Sequence, residues 1–501
     1  MEGELVPHVD VLIVGAGLSG VGAATHLQKS CPDKTFAILE ARATSGGTWD
    51  LFRYPGIRSD SDMYTLAYRV KPWMGTRALG DGPSIARYIR EMAAERGIDR
   101  AIRYHHRVRR ASWSSADARW TVEVERTDTG TTEHLTCGFL FGNTGYYRYD
   151  AGYTPEFPGR ESFGGLVLHP QHWPEDLDYS GRRIAVIGSG ATAVTLVPAL
   201  ADSAGHVTMV QRSPSYIASL PGENPIDEAL RRRLPPRASR AVIRWKNMVL
   251  TSLIYQLCRR APAAMKKRFR ESVATQLPSD YDVDTHFTPP YEPWDQRLCF
   301  APDGDLFTAI REGKVSVVTE TIESFTPTGL RFGSGAELEA DIIVTATGIT
   351  MLMLGGMEIE VDGRRIETSE AVTYKSLMMA GVPNLAFTFG YTNASWTLKS
   401  DLVAGYVCRL LRYMDRHGYA TCTPNEPDPA LPTSPYLDLT SGYVQRSNGV
   451  PGTFPRQTTT APWRVRHNYP LDVLLFRYGR VDDGVTFARA PARRPASPLP
   501  V

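Results

Sequence analysis

One glycine-rich pattern occurs twice in this chain, and it constrains the fold more than any other feature of the sequence. Residues 15–20 read GAGLSG and residues 188–193 read GSGATA. Each follows a short apolar run, VLIV at 11–14 and IAVI at 184–187, and each precedes a helix-like segment. A strand, a glycine turn and a helix in this order are typical of the βαβ unit that binds a dinucleotide. We therefore predict an α/β chain with two Rossmann-like dinucleotide-binding domains.

The first glycine turn meets the physical demands of a dinucleotide site. Gly15 allows the tight turn, Gly17 lets the backbone approach a pyrophosphate, and Gly20 lets the helix and strand pack closely. The free N–H groups at the start of the helix attract phosphates. Glu40 ends the next strand, at the spacing expected of an acid that binds a ribose. These features favour FAD, although a glycine turn can also simply pack a helix on a sheet.

The second glycine turn is followed by different chemistry. Alanine takes the third glycine position, which is a tolerated variant. The next strand ends in Gln211 and Arg212 where the first unit has Glu40. A carboxylate would repel the 2′-phosphate of NADPH, whereas an arginine attracts it through a charge-assisted hydrogen bond. The second unit is therefore predicted to bind NADPH; the alternative for Arg212 is an ordinary surface position.

Two dinucleotide sites on one chain indicate that a nicotinamide passes a hydride to a flavin. Enzymes with this layout pass the electrons on either to a cysteine pair or to O2. The six cysteines are scattered, with no CxxC pair and no cluster at metal-ligand spacing, so we expect O2 and no metal site. The formal net charge of +2 predicts no nucleic-acid partner. The N-terminus lacks the basic region of a secretory signal, and a cytoplasmic location is expected.

Patterning along the chain predicts its domains. We expect a discontinuous FAD-binding domain of residues 1–160 and 341–487, and an NADPH-binding domain of residues 161–340. A partly basic helical insertion is expected at about 228–276, where a solvated face is favoured over contact with a membrane surface, so no firm membrane partner is predicted. Residues 488–501 are rich in proline, alanine and arginine and are expected to form a disordered tail.

A longer motif lies between the two glycine turns. Residues 163–174 read FGGLVLHPQHWP and fill every fixed position of FxGxxxHxxxWP, namely Phe163, Gly165, His169, Trp173 and Pro174. This pattern is the fingerprint of type I Baeyer–Villiger monooxygenases, which the chain therefore resembles. The related flavin-containing monooxygenases usually lack the final Trp-Pro. The segments YPGIRSD at 54–60 and ATG at 346–348 resemble the same family, and the chain is most similar to the subgroup that activates the thioamide prodrug ethionamide.

The resemblance implies which residues contact the cofactors. For FAD these are Gly15, Gly17, Ser19, Gly20, Glu40, Gly47, Thr48, Trp49, Asp50, Leu51, Asp60 and Val108. For NADPH they are Arg58, Ser59, Gly188, Ser189, Gly190, Ala191, Thr192, Ala193, Val194, Gln211 and Arg212.

The resemblance also implies the remaining roles. Arg297 matches the catalytic arginine of the family, and Asp60 is expected to orient it. His169 and Trp173 would lie in a linker and coordinate domain motion without touching the substrate. The chain departs from many relatives at Gln296, where they carry a lysine that helps to hold the 2′-phosphate. Trp463 is the candidate counterpart of their C-terminal substrate loop.

The activity implied is the NADPH- and O2-dependent conversion of a small ketone to an ester or lactone, through a peroxyflavin that must remain anionic to attack the carbonyl. A fixed cation stabilises such an anion, and arginine remains protonated at any working pH. Oxygenation of sulfides or thioamides by the same site is also expected. Two alternatives remain open: an enzyme that oxygenates only nitrogen or sulfur, and a non-catalytic flavoprotein that senses NADPH.

Overall fold

Two sheets, each with a glycine turn directly after one of its strands, organise the fold. The computed structural model describes residues 6–75 and 77–490. The first sheet has nine strands and the second has five. The predicted fold class, α/β with two Rossmann-like units and a helical insertion, is confirmed.

The nine-stranded sheet contains the strand His8–Val14, which precedes the first glycine turn. Val11 and Ile13 pack on one face, whereas Leu12 and Val14 pack on the other, so both faces are covered as is typical of parallel strands. Leu385–Phe387 pairs in parallel with the end of Thr132–Gly142. The other strands follow the order Arg364–Ile366, Glu358–Val361, His106–Ser114, Arg119–Arg126, Thr132–Gly142, His8–Val14, Phe36–Leu39 and Ile102–Arg103.

The five-stranded sheet is entirely parallel and carries the second glycine turn. Its order is Val315–Thr319, His206–Gln211, Arg183–Ile187, Ile342–Thr345 and Leu166–Leu168. The apolar strand Ile342–Thr345 pairs with strands on both of its sides, so we place the end of the second unit after Thr345 and not at residue 340.

Smaller sheets and helices complete the chain. The short strands pair as Ile217–Leu220 with Cys299–Pro302, Ile322–Thr326 with Gly329–Phe332 and Glu337–Glu339, Thr373–Tyr374 with Met378–Met379, Thr421–Pro424 with Val485–Ala488, and Thr433–Pro435 with Arg456–Thr458. The α-helices outside the insertion are Leu18–Ser30, Thr48–Leu51, Met63–Leu66, Gly82–Glu95, Ala191–Leu200, Val283–Phe287, Asp305–Arg311, Trp396–His417, Gly442–Ser447 and Tyr469–Tyr478. Single 3₁₀ turns cover Asp99–Ala101, Arg160–Ser162, Pro170–His172 and Met353–Gly356.

Three helices occupy the predicted insertion: Pro225–Arg233, Pro236–Arg260 and Pro262–Ala274. Each begins with proline, which is favoured at the first helical position because its missing N–H would have no partner there. Across residues 6–75 and 77–490, no helix is both long and apolar enough to cross a bilayer. The expected tail lies outside the described residues from 491 onward, and its first residue, Ala488, ends a strand.

Candidate active site

A cavity of about 500 Å³ lies between the two glycine turns. Its lining includes the first turn, parts of the segments 46–49 and 54–61, the start of the helix Ala191–Leu200, and Arg297. Its volume falls within the usual range for a small-molecule or cofactor site. The cavity therefore contacts both of the units that the sequence predicts to bind dinucleotides.

The first glycine turn forms a narrow backbone cradle. Gly15 has a φ of +103°, and a Cβ there would lie 2.6 Å from the carbonyl oxygen of Asn143. Gly47 has a φ of +58°, and a Cβ there would lie 3.1 Å from the Cα of Gly17. Gly17 caps the helix Leu18–Ser30 without any side-chain hydrogen bond, so the first N–H groups of that helix are available to a ligand. Such a cradle fits a pyrophosphate.

Two buried polar groups beside the cradle fit the rest of a dinucleotide. Glu40 accepts hydrogen bonds from the backbone N–H groups of Ala16, at 2.8 Å, and Arg42, at 3.1 Å. Burial raises the pKa of the Glu40 carboxyl, and its remaining lone pairs can accept ribose hydroxyls. The Oδ1 atom of Asn143 is buried and has no hydrogen-bond partner among the described residues, and Asn143 lines the cavity. A buried acceptor of this kind calls for a donor from a bound group.

A cation and a carboxylate from distant parts of the chain meet in the cavity wall. Arg297 Nη2 donates a hydrogen bond to Asp60 Oδ2 at 2.6 Å. The carboxylate of Asp60 raises the pKa of the Arg297 guanidinium above its ordinary value. The Arg297 side chain is 31% exposed, and Arg297 is among the residues that line the cavity. The guanidinium is thus a permanent positive charge that is partly exposed in the cavity wall.

Aromatic side chains surround this cation. The hydroxyls of Tyr146 and Tyr147 lie 3.0 Å apart, and both rings line the cavity. Burial raises the pKa of Tyr147 to about 12, so its hydroxyl remains protonated near neutral pH. Trp396 stacks on Tyr146 with 5.5 Å between ring centroids, and its Nε1 donates to Ser19 Oγ at 2.7 Å. These rings make this part of the wall apolar, and an apolar surrounding reduces the access of water.

The second glycine turn reaches the cavity through the helix that follows it. Gly188 has a φ of +143°, and a Cβ there would lie 2.3 Å from the carbonyl oxygen of Ala346. Gly190 caps the helix Ala191–Leu200 without a side-chain hydrogen bond and has open space around it. Ala191 and Thr192, the first residues of that helix, line the cavity. The second turn therefore also offers free N–H groups to a phosphate.

Two arginines lie near the second turn, and the sequence pointed to one of them. Arg212 is exposed at the end of its strand. Arg446 lies over the ring of Tyr153, with its guanidinium carbon 3.5 Å from the ring centroid. Burial lowers the pKa of Arg446, and the positive charge of Arg212 lowers it further. The preceding Gln211 is buried and donates to His286 O and Thr319 Oγ1, so its side chain holds the strand end in place.

Arg58 and Ser59 lie beside Asp60 in the same loop. Arg58 pairs with Asp305 at 2.6 Å, and its Nε has no hydrogen-bond partner within residues 6–75 and 77–490. Ser59 Oγ donates to the carbonyl of Ser61 at 2.8 Å. Both residues line the cavity, and Arg58 also lines an adjoining cleft of about 1260 Å³.

The fingerprint residues lie away from the cavity wall. A Cβ on Gly165 would lie 2.4 Å from the carbonyl oxygen of Asp341, and Phe163 is buried under the second sheet. His169 Nε2 is 3.2 Å from the carbonyl of Gly348, which connects the linker to the segment that returns to the first unit. Trp173 packs edge-on against Tyr179 and lines the adjoining cleft with it. These contacts are consistent with a linker role.

The cavity brings most of the predicted site residues together. Those that line it are Gly15, Gly17, Ser19, Glu40, Gly47, Thr48, Trp49, Arg58, Ser59, Asp60, Val108, Ala191, Thr192 and Arg297. Those outside its wall are Gly20, Asp50, Leu51, Gly188, Ser189, Gly190, Ala193, Val194, Gln211 and Arg212. Asp50 lines the adjoining cleft, where it pairs with Arg42 and Arg90. Trp463 donates to the carbonyl of Asn425 and packs against the core, away from the cavity.

The cavity-wall residues Asn143, Tyr146 and Tyr147 were not identified from the sequence. Each lies in or next to a loop, where no periodic pattern indicates which way a side chain points. Trp396 lies in residues 390–399, GYTNASWTLK, which also resemble the ethionamide-activating subgroup, and that resemblance is the signal that could have identified it.

Comparison with known proteins identifies the family. A model described as flavin-binding monooxygenase-like matches residues 81–386, and one described as an NAD(P)-binding Rossmann-like domain matches residues 13–74. The chain is 54% identical over 490 residues to the FAD-containing monooxygenase EthA of Mycobacterium tuberculosis, covering 97% of this chain and 99% of the relative. It is 46% identical over 481 residues to the probable FAD-binding monooxygenase AlmA of Acinetobacter baylyi, covering 95% of each chain.

Solved structures share the fold at low sequence identity. An oxidized steroid monooxygenase bound to NADP matches with a TM-score of 0.72 and 23% identity, covering 96% of this chain and 100% of that one. OTEMO in complex with FAD and NADP matches with a TM-score of 0.72 and 20% identity over the same shares. Given the family model and the relatives that align along nearly their whole length, this chain belongs to the flavin-binding monooxygenase-like family.

Proposed function

We propose that this chain is an FAD-containing, NADPH- and O2-dependent monooxygenase that inserts one oxygen atom beside the carbonyl of a small ketone. The observation that carries this proposal is the Arg297–Asp60 pair, which lies in the wall of the same cavity as the glycine cradle. The names of relatives that contain FAD and of similar structures that bind NADP support the choice of cofactors.

The residues present fit both cofactors. Gly15, Gly17 and Gly47 would receive the pyrophosphate of FAD, Glu40 would bind a ribose, and Asn143 would accept a hydrogen bond. The start of the helix Ala191–Leu200 would receive the pyrophosphate of NADPH. When bound, FAD supplies the redox chemistry by taking a hydride from NADPH and delivering one atom of O2 to the substrate.

Arg297 would act on the substrate carbonyl. Negative charge develops on the carbonyl oxygen as the carbonyl carbon is attacked. A cation already in position stabilises that charge without reorganisation. Asp60 fixes the direction of the guanidinium, and its carboxylate raises the pKa of Arg297 further above the working range. The aromatic wall excludes water, which strengthens the electrostatic interaction. Transfer of oxygen to sulfur or nitrogen creates no carbonyl oxyanion and would depend less on this cation.

The reaction class can be tested with two substrates in one vessel. The purified FAD-loaded protein would receive NADPH, air, a linear ketone and an aryl methyl sulfide, followed by product analysis by mass spectrometry. We expect the ester from the ketone, with or without the sulfoxide. Sulfoxide alone, across a panel of ketones, would assign the protein to the heteroatom-oxygenating class. A protein whose flavin is not bleached by NADPH in the absence of air would be a non-catalytic binder.

Replacing Arg212 with alanine is expected to weaken the preference for NADPH. A hydrogen bond between charged groups contributes about 1.5–3 kcal/mol, so the KM for NADPH should rise roughly 10- to 100-fold while the KM for NADH changes little. Initial rates of nicotinamide oxidation at varied cofactor concentration measure both values. Arg100→Ala, at another exposed arginine, is the matched control and should leave both values unchanged. An unaltered KM for NADPH in the Arg212 variant would show that Arg212 does not contact the 2′-phosphate.

Replacing Gly15 with alanine is expected to weaken FAD binding. The added Cβ would lie 2.6 Å from Asn143 O at a φ of +103°, so the cradle must shift. Such strain costs about 1–3 kcal/mol, which corresponds to roughly 5- to 150-fold weaker binding. Flavin absorbance per protein after gel filtration measures the occupancy, and circular dichroism reports folding. In the control Gly97→Ala, the φ is also positive (+65°) but the space is open, so flavin content should remain normal.

A further inference from the structure

The three insertion helices form a strongly basic unit. Residues 225–274 contain thirteen lysines and arginines and three aspartates and glutamates, whereas the whole chain has a formal net charge of only +2. Some of these cations pair locally, as in Lys246 with Asp227 and Lys266 with Glu292. The excess of positive charge nevertheless remains on this part of the surface, and it attracts an anionic partner.

The middle helix of this unit, Pro236–Arg260, is attached to the protein along one side. Ile243 and Met248 are buried, and Arg244 donates to the backbone carbonyl of Tyr64 at 2.7 Å. Asn247 donates to Asp62 Oδ1 at 3.0 Å. This side holds the segment 62–67, whose Leu66 lines the cavity. The position of the helix is therefore fixed by the fold, and its opposite side is free to present another surface.

The opposite side of this helix exposes a stripe of large apolar side chains. Trp245 and Val249 are 62% and 60% exposed, and the stripe consists of Val242, Trp245, Val249, Leu250, Leu253 and Leu257. These positions share one helical face because they recur at intervals close to 3.6 residues. Val242 to Leu257 spans about 22 Å along the helix. Lys246 also lies on this face, where it pairs with Asp227. A concentration of exposed apolar side chains of this size on a protein surface usually marks an interaction site.

A second helix extends the same kind of surface nearby. Tyr469, at the start of the helix Tyr469–Tyr478, packs with Met248 in one small cluster. That helix also exposes three large side chains at intervals of three and four residues, Leu471, Leu474 and Tyr478. Two neighbouring helices thus expose apolar side chains on this part of the protein.

We infer that the apolar stripe, together with the surrounding cations, docks this protein on the surface of an anionic lipid bilayer. Exposed arginines lie beyond both ends of the stripe, with Arg233 and Arg237 before it and Arg260 and Arg268 after it. An apolar helical face flanked by cations is the pattern of a helix that lies in the membrane interface, where tryptophan is enriched. A second copy of this chain would bring the same positive charge to the contact, and the repulsion disfavours self-association. The inference does not depend on the proposed reaction.

Vesicle flotation with the full-length, FAD-loaded protein tests the inference. We expect it to bind vesicles of phosphatidylcholine with about 30% phosphatidylglycerol, to bind pure phosphatidylcholine weakly, and to release as salt rises. The variant Trp245→Ser/Val249→Ser/Leu253→Ser removes three exposed apolar groups and should lower binding to the anionic vesicles at least about tenfold with unchanged thermal melting. The control Met74→Ser/Val450→Ser changes exposed apolar residues elsewhere and should bind normally.

Tryptophan fluorescence reports which part of the protein contacts the vesicle. Addition of anionic vesicles should shift the tryptophan fluorescence of the native protein to shorter wavelength, and Trp245→Phe should bind equally well but lose that shift. Absence of binding by the native protein, or undiminished binding by the triple variant, would overturn the inference. So would analytical ultracentrifugation showing that the native protein self-associates and that the triple variant does not, because the stripe would then be an interface between copies.

Discussion

Replacing Arg297 with alanine is expected to lower the rate of ester formation by roughly 10²–10³-fold while NADPH is still consumed. The guanidinium lies in the cavity wall at 2.6 Å from Asp60, and its proposed task is to stabilise charge on the substrate carbonyl. Reduction of the flavin by NADPH does not require that task, so the consumed O2 should appear as H2O2. The ratio of ester to NADPH consumed, with peroxide measured in parallel, gives the result.

A second variant, Arg297→Lys, together with the flavin content, distinguishes the loss of the positive charge from a general disturbance of the cavity. Arg297→Lys retains a positive charge but not the planar guanidinium, so we expect partial activity between those of the native protein and Arg297→Ala. We expect normal flavin content in both variants, because the glycine cradle is shaped by close backbone approaches and Glu40 is held by backbone N–H groups. If Arg297→Ala formed ester at the native rate, the guanidinium would have no part in the reaction.

The variant Lys399→Met is expected to lower the free energy of unfolding by about 3–5 kcal/mol. Lys399 Nζ donates to Asp472 Oδ2 at 2.7 Å, and both side chains are 3% exposed. Burial lowers the pKa of Lys399, and the carboxylate of Asp472 opposes that shift. Removing the lysine leaves a buried carboxylate that accepts a hydrogen bond from Tyr391 alone among the contacts described. Urea unfolding followed by far-UV circular dichroism measures the change.

Two further variants separate the buried charge from the loss of packing. Lys399→Met/Asp472→Asn removes both charges and should recover most of the lost stability, since no uncompensated ion remains. Lys34→Met breaks an ion pair with Asp415 that has the same kind of geometry, at 2.8 Å, but leaves a carboxylate that is 54% exposed. That change should cost less than about 1 kcal/mol. If Lys34→Met and Lys399→Met lowered the free energy of unfolding equally, burial of the Lys399–Asp472 pair would not explain its contribution to stability.

The sequence predicted the parts of the fold that depend on local chemistry. The two glycine turns could be recognised because only glycine fits a backbone with positive φ that another chain segment closely approaches, as at Gly15 and Gly188. Glu40 could be predicted as a candidate ribose ligand because it comes directly after the strand Phe36–Leu39. The pairing of Arg297 with Asp60 spans 237 residues, so it could be expected only from resemblance to a family and not from any local pattern.

Other features depend on how distant segments pack, and the sequence did not indicate them. The positive charge of Arg212 acts on Arg446, which lies far along the chain in the helix Gly442–Ser447, and no spacing in the sequence encodes that interaction. The strand Ile342–Thr345 belongs to the second sheet through its pairing with Arg183–Ile187, so the predicted boundary at residue 340 was placed too early. For the insertion, the sequence favours a solvated face and does not single out the apolar stripe, because exposure of individual side chains depends on which side of the helix the protein covers.

The origin of the oxygen atom in the product tests the central claim most directly. The FAD-loaded protein would be supplied with NADPH, a linear ketone and isotopically labelled O2, and the product analysed by mass spectrometry with fragmentation. We predict an ester that carries one labelled atom, located in the alkoxy oxygen, with the carbonyl oxygen unlabelled. An ester without label, or consumption of NADPH with no ester from any ketone of a broad panel, would contradict the proposal that this cavity inserts oxygen beside a carbonyl.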